Sequence, residues 1–140
     1  MDEARAWDLL GNARHGVLAT TGPRAIDLVP ICFAVLAPRV YLAIDAVKPK
    51  RDLRPQRLAN IALDPQVSLL VDHYEDDDWD RLWWVRASGR ATEIAGPEAE
   101  VALDALASRY RQYADARPPG PVVRIDVDRV QGWSADPGGI

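Results

Sequence analysis

The 140-residue sequence predicts a mainly β fold, in which about six antiparallel strands form a closed or partly closed barrel and a long helix precedes the last strand. Three observations lead to this fold class. Apolar and polar residues alternate along several short segments, as they do in half-buried strands. Turn-forming residues separate these segments at short intervals. Helical patterns do not alternate regularly with the strands, which argues against a doubly wound parallel sheet.

Local patterns then place each element along the chain. A helix is predicted where apolar residues recur every three or four positions, and a strand where they alternate or form a short run between turns. Pro30 lies inside the second strand run, which indicates a bulge or a sheet edge there. The predicted order is helix 2–13, strand 17–20, strand 25–36, strand 40–44, helical turns within 53–61, strand 67–71, an acidic loop over 72–80, strand 82–94, helix 97–113 and a last strand over 123–128.

Length and composition limit the class of protein. The length suits a single domain, residues 1–140. No run approaches the roughly eighteen apolar residues of a membrane span, and the acidic N-terminus is unlike a signal peptide. Cys32 is the only cysteine, which fits a reducing compartment, and the net charge of -4 gives no overall attraction to nucleic acid or anionic lipid. We therefore expect a cytoplasmic protein without nucleic-acid or membrane partners.

Positive charge is concentrated in residues 48–57. Densely packed like charges repel one another, whereas a bound phosphate would turn that repulsion into attraction. The segment follows a strand and opens a helix, where free backbone N–H groups also favour an anion. The alternative is a solvated helix face, but both lysines of the chain gather here, and we therefore predict an anion site. Its basic residues are Lys48, Lys50, Arg51, Arg54 and Arg57.

The second unusual feature is a set of four of the five tryptophans, at positions 79, 83, 84 and 133. Trp83 and Trp84 are consecutive on a predicted strand, so their rings point to opposite faces. One of the two must then face a ligand, another subunit or solvent, and exposed tryptophan often marks an interface. The alternative is a large barrel with one ring inside and the other covering its rim.

Motifs for metal binding and side-chain catalysis are missing from the sequence. The acidic loop with His73 lacks the alternating ligands and glycine turn of a calcium loop, and zinc would need more imidazole or thiolate, so a solvated hairpin is preferred and no metal is predicted. No nucleophile elbow, phosphate-loop or dinucleotide motif is present, and the catalytic residues stay unknown. An anion site beside aromatic surfaces instead indicates a phosphate-bearing organic cofactor.

Several short motifs, in this order, resemble the pyridoxamine 5'-phosphate oxidase-like split β-barrels. They are HGVLAT at 15–20, LVPICF at 28–33, YLAID at 41–45, KPKR at 48–51 and NIALDPQVSLLVD at 60–72. The tryptophan-rich part resembles an actinobacterial branch of F420-dependent oxidoreductases more closely, through DHY at 72–74, Trp79, RLWWVR at 81–86 and Gly132-Trp133. The similarity covers roughly residues 7–133.

The resemblance implies a six-stranded antiparallel split β-barrel with flanking helices, the FMN-binding split barrel, which forms a homodimer with cofactor sites in the grooves between subunits. It also implies hydride transfer between reduced coenzyme F420 and a small organic acceptor. Trp83 is an alternative to Trp84 in the implied site. The implied cofactor-binding residues are Lys50, with Lys48, Arg51, Arg57 and Asn60, at the phosphate; Val29, Pro30 and Ile31 along the ring; Asp45, Ala46 and Val47 at the lip of the phosphate end; and Trp79, Trp84 and Trp133 from the other subunit.

The sequence also departs from the family pattern. The segment between Lys50 and Asn60 is longer than in short-looped relatives, which leaves open whether Arg51, Arg54 or Arg57 reaches the phosphate. The C-terminal substrate-binding extension of the vitamin B6 oxidase is missing, so that activity is disfavoured. FMN is the alternative cofactor, although arginines at 54 and 57 favour the anionic tail of F420. A non-catalytic flavin, deazaflavin or haem carrier is the alternative function.

Overall fold

The structure, a computed structural model, describes residues 1–44 and 55–136. Within these residues, no helix is long and apolar enough to cross a bilayer. A single 3₁₀ turn, Trp79–Arg81, follows the acidic stretch. The helices and strands are α1 (Glu3–Asn12), β1 (Gly16–Thr21), β2 (Ile26–Ile31), β3 (Ala34–Leu36), β4 (Arg39–Ala43), α2 (Gln56–Leu63), β5 (Gln66–His73), β6 (Trp83–Ile94), α3 (Pro97–Arg109), α4 (Arg111–Asp115) and β7 (Val122–Ser134).

All strands belong to one antiparallel sheet, in the order β2-β1-β5-β6-β7-β4-β3. Across the described ranges, β2 and β3 are the two ends of this order and do not pair with each other, so the barrel is open between them. The prediction of a mainly β, antiparallel split barrel with flanking helices is confirmed. The sheet has seven strands instead of six, and Pro30 lies on edge strand β2, as its position predicted.

The extra strand arises because the predicted strand 25–36 is divided into β2 and β3. Phe33, between them, is fully buried. Its backbone N–H donates to the Tyr110 hydroxyl (3.2 Å), and that hydroxyl also lies 3.0 Å from the Phe33 carbonyl oxygen. A buried peptide group requires hydrogen-bond partners. At this break the Tyr110 hydroxyl provides the partners that a neighbouring strand would otherwise provide.

The same tyrosine explains why the predicted helix 97–113 is wrong as a single element. Tyr110 has an extended backbone (φ -120°, ψ 121°), so α3 ends at Arg109 and α4 begins at Arg111. The Arg109 guanidinium hydrogen-bonds the carbonyl oxygens of Gly11 and Ala13 at the end of α1. These contacts with distant parts of the chain override the continuous helical pattern.

The hydrophobic core lies inside the curved sheet. Leu18, Leu42, Leu69 and Ile125, from four different strands, are almost completely buried there. Helices α1 and α2 add buried residues to the same cluster, so both pack against the barrel core. A second, smaller cluster lies on the outer side of the sheet beneath α3.

Strand β7 is longer than the predicted strand 123–128, because it pairs with β6 along its whole length. A register shift at Ser88 and Gly89 bends this long ladder. A Cβ atom at Gly89 would lie 2.0 Å from the Asp126 carbonyl oxygen, so the close approach of the two backbones requires glycine. The extension beyond the bend places Trp133 directly opposite Trp84.

Candidate functional site

A cavity of about 210 Å³, here called the β2 cavity, lies where the edge strand β2 ends. Strand β2 contributes Pro30 and Ile31, and the first turn of α2 contributes Arg57. The structure therefore brings predicted ring-contact residues together with one of the predicted phosphate-contact arginines. The complete lining is His15, Pro30, Ile31, Cys32, Ala43, Arg57 and Tyr113.

Strand pairing and helix position explain how these residues meet. Gly16 of β1 pairs with Ile31 of β2, so the preceding residue, His15, lies beside the end of β2. Helix α2 begins after Pro55, with no side-chain cap and no acidic residue in its first turn. The positive end of this helix and Arg57 give this side of the cavity a basic character. An anion is favoured there, next to the apolar Pro30 and Ile31.

Two of the predicted residues lie near the β2 cavity without lining it. Val29 is half-buried and packs against the barrel core. The buried Asn60 amide donates to Thr20 Oγ1 (2.9 Å) and to Asp27 Oδ2 (2.6 Å), and its oxygen accepts from Gln56 Nε2 (2.9 Å). These hydrogen bonds join α2 to β1 and β2. Because Arg57 lies on α2, they also position Arg57.

Seven of the residues named for the phosphate end and its lip lie outside the described residues. They are Asp45, Ala46, Val47, Lys48, Lys50, Arg51 and Arg54. The described chain ends on one side of this segment at Ile44, directly after β4, and resumes at Pro55, directly before α2. Ala43 and Arg57, close to these two points, both line the β2 cavity.

A larger cavity of about 410 Å³, here called the tryptophan cavity, lies at the end of the β5–β6 hairpin. Trp84 and Trp133 are opposite each other on β6 and β7, and Asp72 of β5 is opposite Trp84, so these three side chains share the outer face of the sheet. The remaining lining residues are Leu70, His73, Tyr74, Leu82, Trp83 and Arg86.

Trp83 and Trp84 point in opposite directions, as their adjacent positions predicted. Trp83 packs against the barrel core and stacks with His73, with ring centroids 6.1 Å apart. Trp84 lies with Trp133 on the outer face. Trp79 is 63% exposed in the 3₁₀ turn and is not among the residues that line the tryptophan cavity.

The acidic stretch is partly organised by side-chain contacts of Glu75 and Tyr74. Glu75 Oε2 lies 3.1 Å from His73 Nε2 and 2.9 Å from Arg81 Nε, and the Tyr74 hydroxyl donates to Asp76 (2.8 Å). These contacts fix the hairpin end that forms one wall of the tryptophan cavity. The region is a strand end followed by a 3₁₀ turn, consistent with the predicted solvated hairpin.

A comparison with known protein families finds one matching model, described as pyridoxamine 5'-phosphate oxidase, which covers residues 2–134. The chain belongs to this family. No curated protein matches the sequence.

Several solved structures share the fold of this chain. A conserved hypothetical protein from Mycobacterium tuberculosis is 27% identical, with a TM-score of 0.76 over 96% of this chain and 86% of its own. An FAD-binding protein from Mesorhizobium loti is 19% identical, with a TM-score of 0.75 over 94% of this chain and 92% of its own. A heme binding protein from Mycobacterium smegmatis is 16% identical, with a TM-score of 0.69 over 94% of this chain and 57% of its own. The last two similarities show the shared fold.

Sequence reasoning missed several residues that line the two cavities of this family member. His15 is not among the predicted site residues, although its place before β1 and the β1–β2 hairpin register locate it beside Ile31. Arg86 follows in the same way from the alternation along β6. No local sequence pattern places Tyr113 at the cavity, because its position depends on the break between α3 and α4.

Proposed function

We propose that this member of the pyridoxamine 5'-phosphate oxidase family is an oxidoreductase that binds coenzyme F420 between two copies of the chain and transfers a hydride to a small organic acceptor. The observation that carries the proposal is the β2 cavity, which combines Pro30 and Ile31 with Arg57. An apolar wall beside a basic group suits a planar ring with an anionic tail.

The residues around the β2 cavity fit such a cofactor by their chemistry. Pro30 offers an exposed apolar surface for a ring beside the buried Ile31, while Arg57 and the first turn of α2 favour its phosphate. In the proposed site Lys50 is the main phosphate contact, with Lys48 and Arg51 beside it. The bound deazaflavin would supply the hydride chemistry, and the protein would bind and orient the ring and exclude water.

The size of the cavity supports a site shared by two copies. At about 210 Å³ it is smaller than the roughly 300–1,000 Å³ typical of small-molecule pockets. The adjacent outer face of the sheet exposes the apolar side chains of Val17, Leu28 and Leu70. A second copy packed on this face would bury them and enlarge the site, and Trp79, Trp84 and Trp133 would then approach the cofactor from that copy.

FMN in the same position is the second candidate, and the FAD-binding protein from Mesorhizobium loti with the same fold favours a flavin. The two cofactors are separated by titrating the purified protein with F420 and with FMN under identical conditions. Tighter binding of F420 is expected, because the basic segment over 48–57 provides more positive charge than one compact phosphate needs. Micromolar binding of FMN without binding of F420 would refute the leading proposal.

The first prediction concerns Lys50. Lys50→Ala should weaken F420 binding by about 1.5–3 kcal/mol, the usual contribution of a hydrogen bond to a charged group, which is roughly tenfold to over a hundredfold. Isothermal titration calorimetry measures this loss, and thermal unfolding verifies that the fold is retained. Arg90→Ala, which removes an exposed positive charge from β6, is the matched control and should bind F420 like the parent. Unchanged binding by the Lys50 variant would remove the proposed phosphate site.

A carrier function is tested with the same protein. The complex with reduced F420 is mixed with a panel of organic acceptors in a stopped-flow instrument, and oxidation of the cofactor is followed by absorbance. The proposed oxidoreductase oxidises the cofactor faster with at least one acceptor than the buffer control does. Tight binding without any such acceleration would instead identify a carrier of the cofactor.

A further inference from the structure

The tryptophan cavity has the walls and the size of a small-molecule site. Trp84 and Trp133 lie on adjacent strands at one side, and Tyr74 also lines the cavity. Its volume of about 410 Å³ falls within the usual range for small ligands. Aromatic walls favour a flat, conjugated molecule, because offset stacking and edge contacts add to the burial of apolar surface.

Arg86 gives this aromatic cavity a fixed positive charge. The Arg86 guanidinium carbon lies 5.3 Å from the centroid of the Trp84 ring, and Nη2 donates to Gln131 Oε1 (2.7 Å). In the part of the chain that the structure describes, no carboxylate forms an ion pair with Arg86. The ring and the amide thus hold the guanidinium in one place, while other N–H donors remain available to a ligand.

Asp72 and Arg86 lie at different ends of the cavity and give it a polarity. Asp72 is opposite Trp84, whereas Arg86 lies one outward-facing position further along β6. His73 contacts Glu75 and stacks on Trp83. An anionic substituent is therefore attracted to the end at Arg86 and repelled from the end at Asp72.

We propose that the tryptophan cavity binds a planar aromatic or conjugated carboxylate, with its ring against Trp84 and Trp133 and its carboxylate on Arg86. Resting on the proposed function, we assign the conjugated members of this class as the organic acceptor. A hydride from the reduced cofactor would form a C–H bond at one carbon of an activated C=C bond, the π electrons of that bond would take up a proton from solvent at the other carbon, and the cofactor would be left oxidised. In the proposed dimer Trp84 and Trp133 approach the cofactor, so a ligand in this cavity lies beside the cofactor ring.

Two probes of the same shape test the proposal. Isothermal titration calorimetry of the full chain compares 2-naphthoate with the uncharged 2-naphthylmethanol. The carboxylate should bind roughly tenfold more tightly than the alcohol, because only the carboxylate forms a charge-assisted hydrogen bond with Arg86. Equal affinity for both probes, or no binding of either, would overturn the proposal.

Three variants then assign the binding to the cavity. Arg86→Gln should remove the preference for the carboxylate while leaving 2-naphthylmethanol binding unchanged. Arg90→Gln, an exposed arginine on the same strand and face but outside the cavity, should retain the preference. Trp84→Leu should weaken both probes by roughly tenfold, because it removes a stacking surface. A carboxylate preference that survives in Arg86→Gln contradicts the assignment.

Separate titrations distinguish a failure of this inference from a failure of the proposed function. If 2-naphthoate binds as described and neither F420 nor FMN binds, the ligand site stands and the oxidoreductase proposal fails. If F420 binds and 2-naphthoate does not, the proposed function stands and this inference fails. If F420 displaces 2-naphthoate competitively, the cavity holds part of the cofactor, and its assignment to the acceptor is wrong.

Discussion

The outer face of the sheet is divided into a half covered by a helix and a half left bare. Over β4 and the start of β7, helix α3 packs on Tyr41 and Val122 through Ala102 and Leu106, so both faces of these strands are buried. Over β1, β2 and β5, the outward-facing side chains remain exposed, including Leu28 at 68% and Leu70 at 43%.

Polar contacts join the covered half at its rim, which is formed by Arg39, Tyr41, Glu98 and Arg124. Glu98, in the first turn of α3, accepts from the Tyr41 hydroxyl (2.9 Å) and from Arg124 Nη1 (2.7 Å), and its carboxylate lies 3.6 Å from Arg39 Nη1. These contacts join the helix to β4 and β7. The helix with its rim therefore has a structural role, and only the edge of this half, through Ala43 and Tyr113, reaches the β2 cavity.

The bare half has the opposite character, with exposed apolar side chains and both candidate cavities nearby. Pro30 of the β2 cavity and Leu70 of the tryptophan cavity are both cross-strand neighbours of Val17 on this face. Exposed contiguous apolar surface is typical of interfaces. The comparison indicates that helix α3 covers the half of the sheet that only borders the β2 cavity. The half where a second copy and a ligand are proposed to bind is left bare.

The largest expected effect is a loss of stability in the covered half. Leu106 is fully buried beneath α3, so Leu106→Ala should lower the free energy of unfolding by about 3 kcal/mol through lost burial and a new cavity. Urea denaturation measures the change. Val101→Ala, on the same helix but 56% exposed, should change it by less than about 0.5 kcal/mol. Similar losses in both variants would show that α3 does not pack as described.

The strands and the main helices could be predicted from the sequence because their patterns are local. Alternation along 82–94 and the apolar run at 67–71 correspond to β6 and β5, and the helical spacing over 2–13 corresponds to α1. Trp83 and Trp84 were correctly assigned to opposite faces by the same two-residue period.

The elements that were predicted wrongly depend on contacts between distant residues. The Tyr110 hydroxyl bonds Phe33, 77 positions away, and this contact accompanies both the division of strand 25–36 and the break in helix 97–113. Local pattern contains no information about such a partner. The lining of the two cavities was incomplete for the same reason, since it requires strand register and the position of α4.

A smaller effect is expected when charge is placed on the bare half. Leu28→Glu should weaken self-association by about 2 kcal/mol, roughly thirtyfold, because a charge would be buried between the two copies. Sedimentation equilibrium measures the change in the dissociation constant. Because Leu28 is exposed, the free energy of unfolding of the monomer should change by less than about 0.5 kcal/mol.

The control for self-association is Val101→Glu, which adds the same charge to an exposed position on the covered half. It should leave the dissociation constant unchanged. A parent protein that is monomeric at all concentrations, or a Val101 variant that dissociates as readily as the Leu28 variant, would show that the bare half is not the surface of self-association.

The smallest effect concerns pH at the rim of the covered half. Burial, and then the hydrogen bond to Glu98, raise the pKa of Tyr41 above its ordinary value of 10.0. The folded protein thus keeps the phenol proton at a pH where the unfolded chain has lost it, so the stabilisation is complete below pH 10 and declines as pH rises beyond it.

Tyr41→Phe removes this titrating group. The variant should be about 1 kcal/mol less stable than the parent at pH 7, because the hydrogen bond to Glu98 is lost. As pH rises above 10 the difference should narrow, because the parent loses the stabilisation that the retained phenol proton provides. Urea denaturation of both proteins across this pH range measures it, and the remaining tyrosines cancel because both proteins contain them. A difference that stays constant with pH would mean that the Tyr41 hydroxyl is not held in the folded state by burial and by Glu98, and that the rim does not contribute to the covered half as the structure indicates.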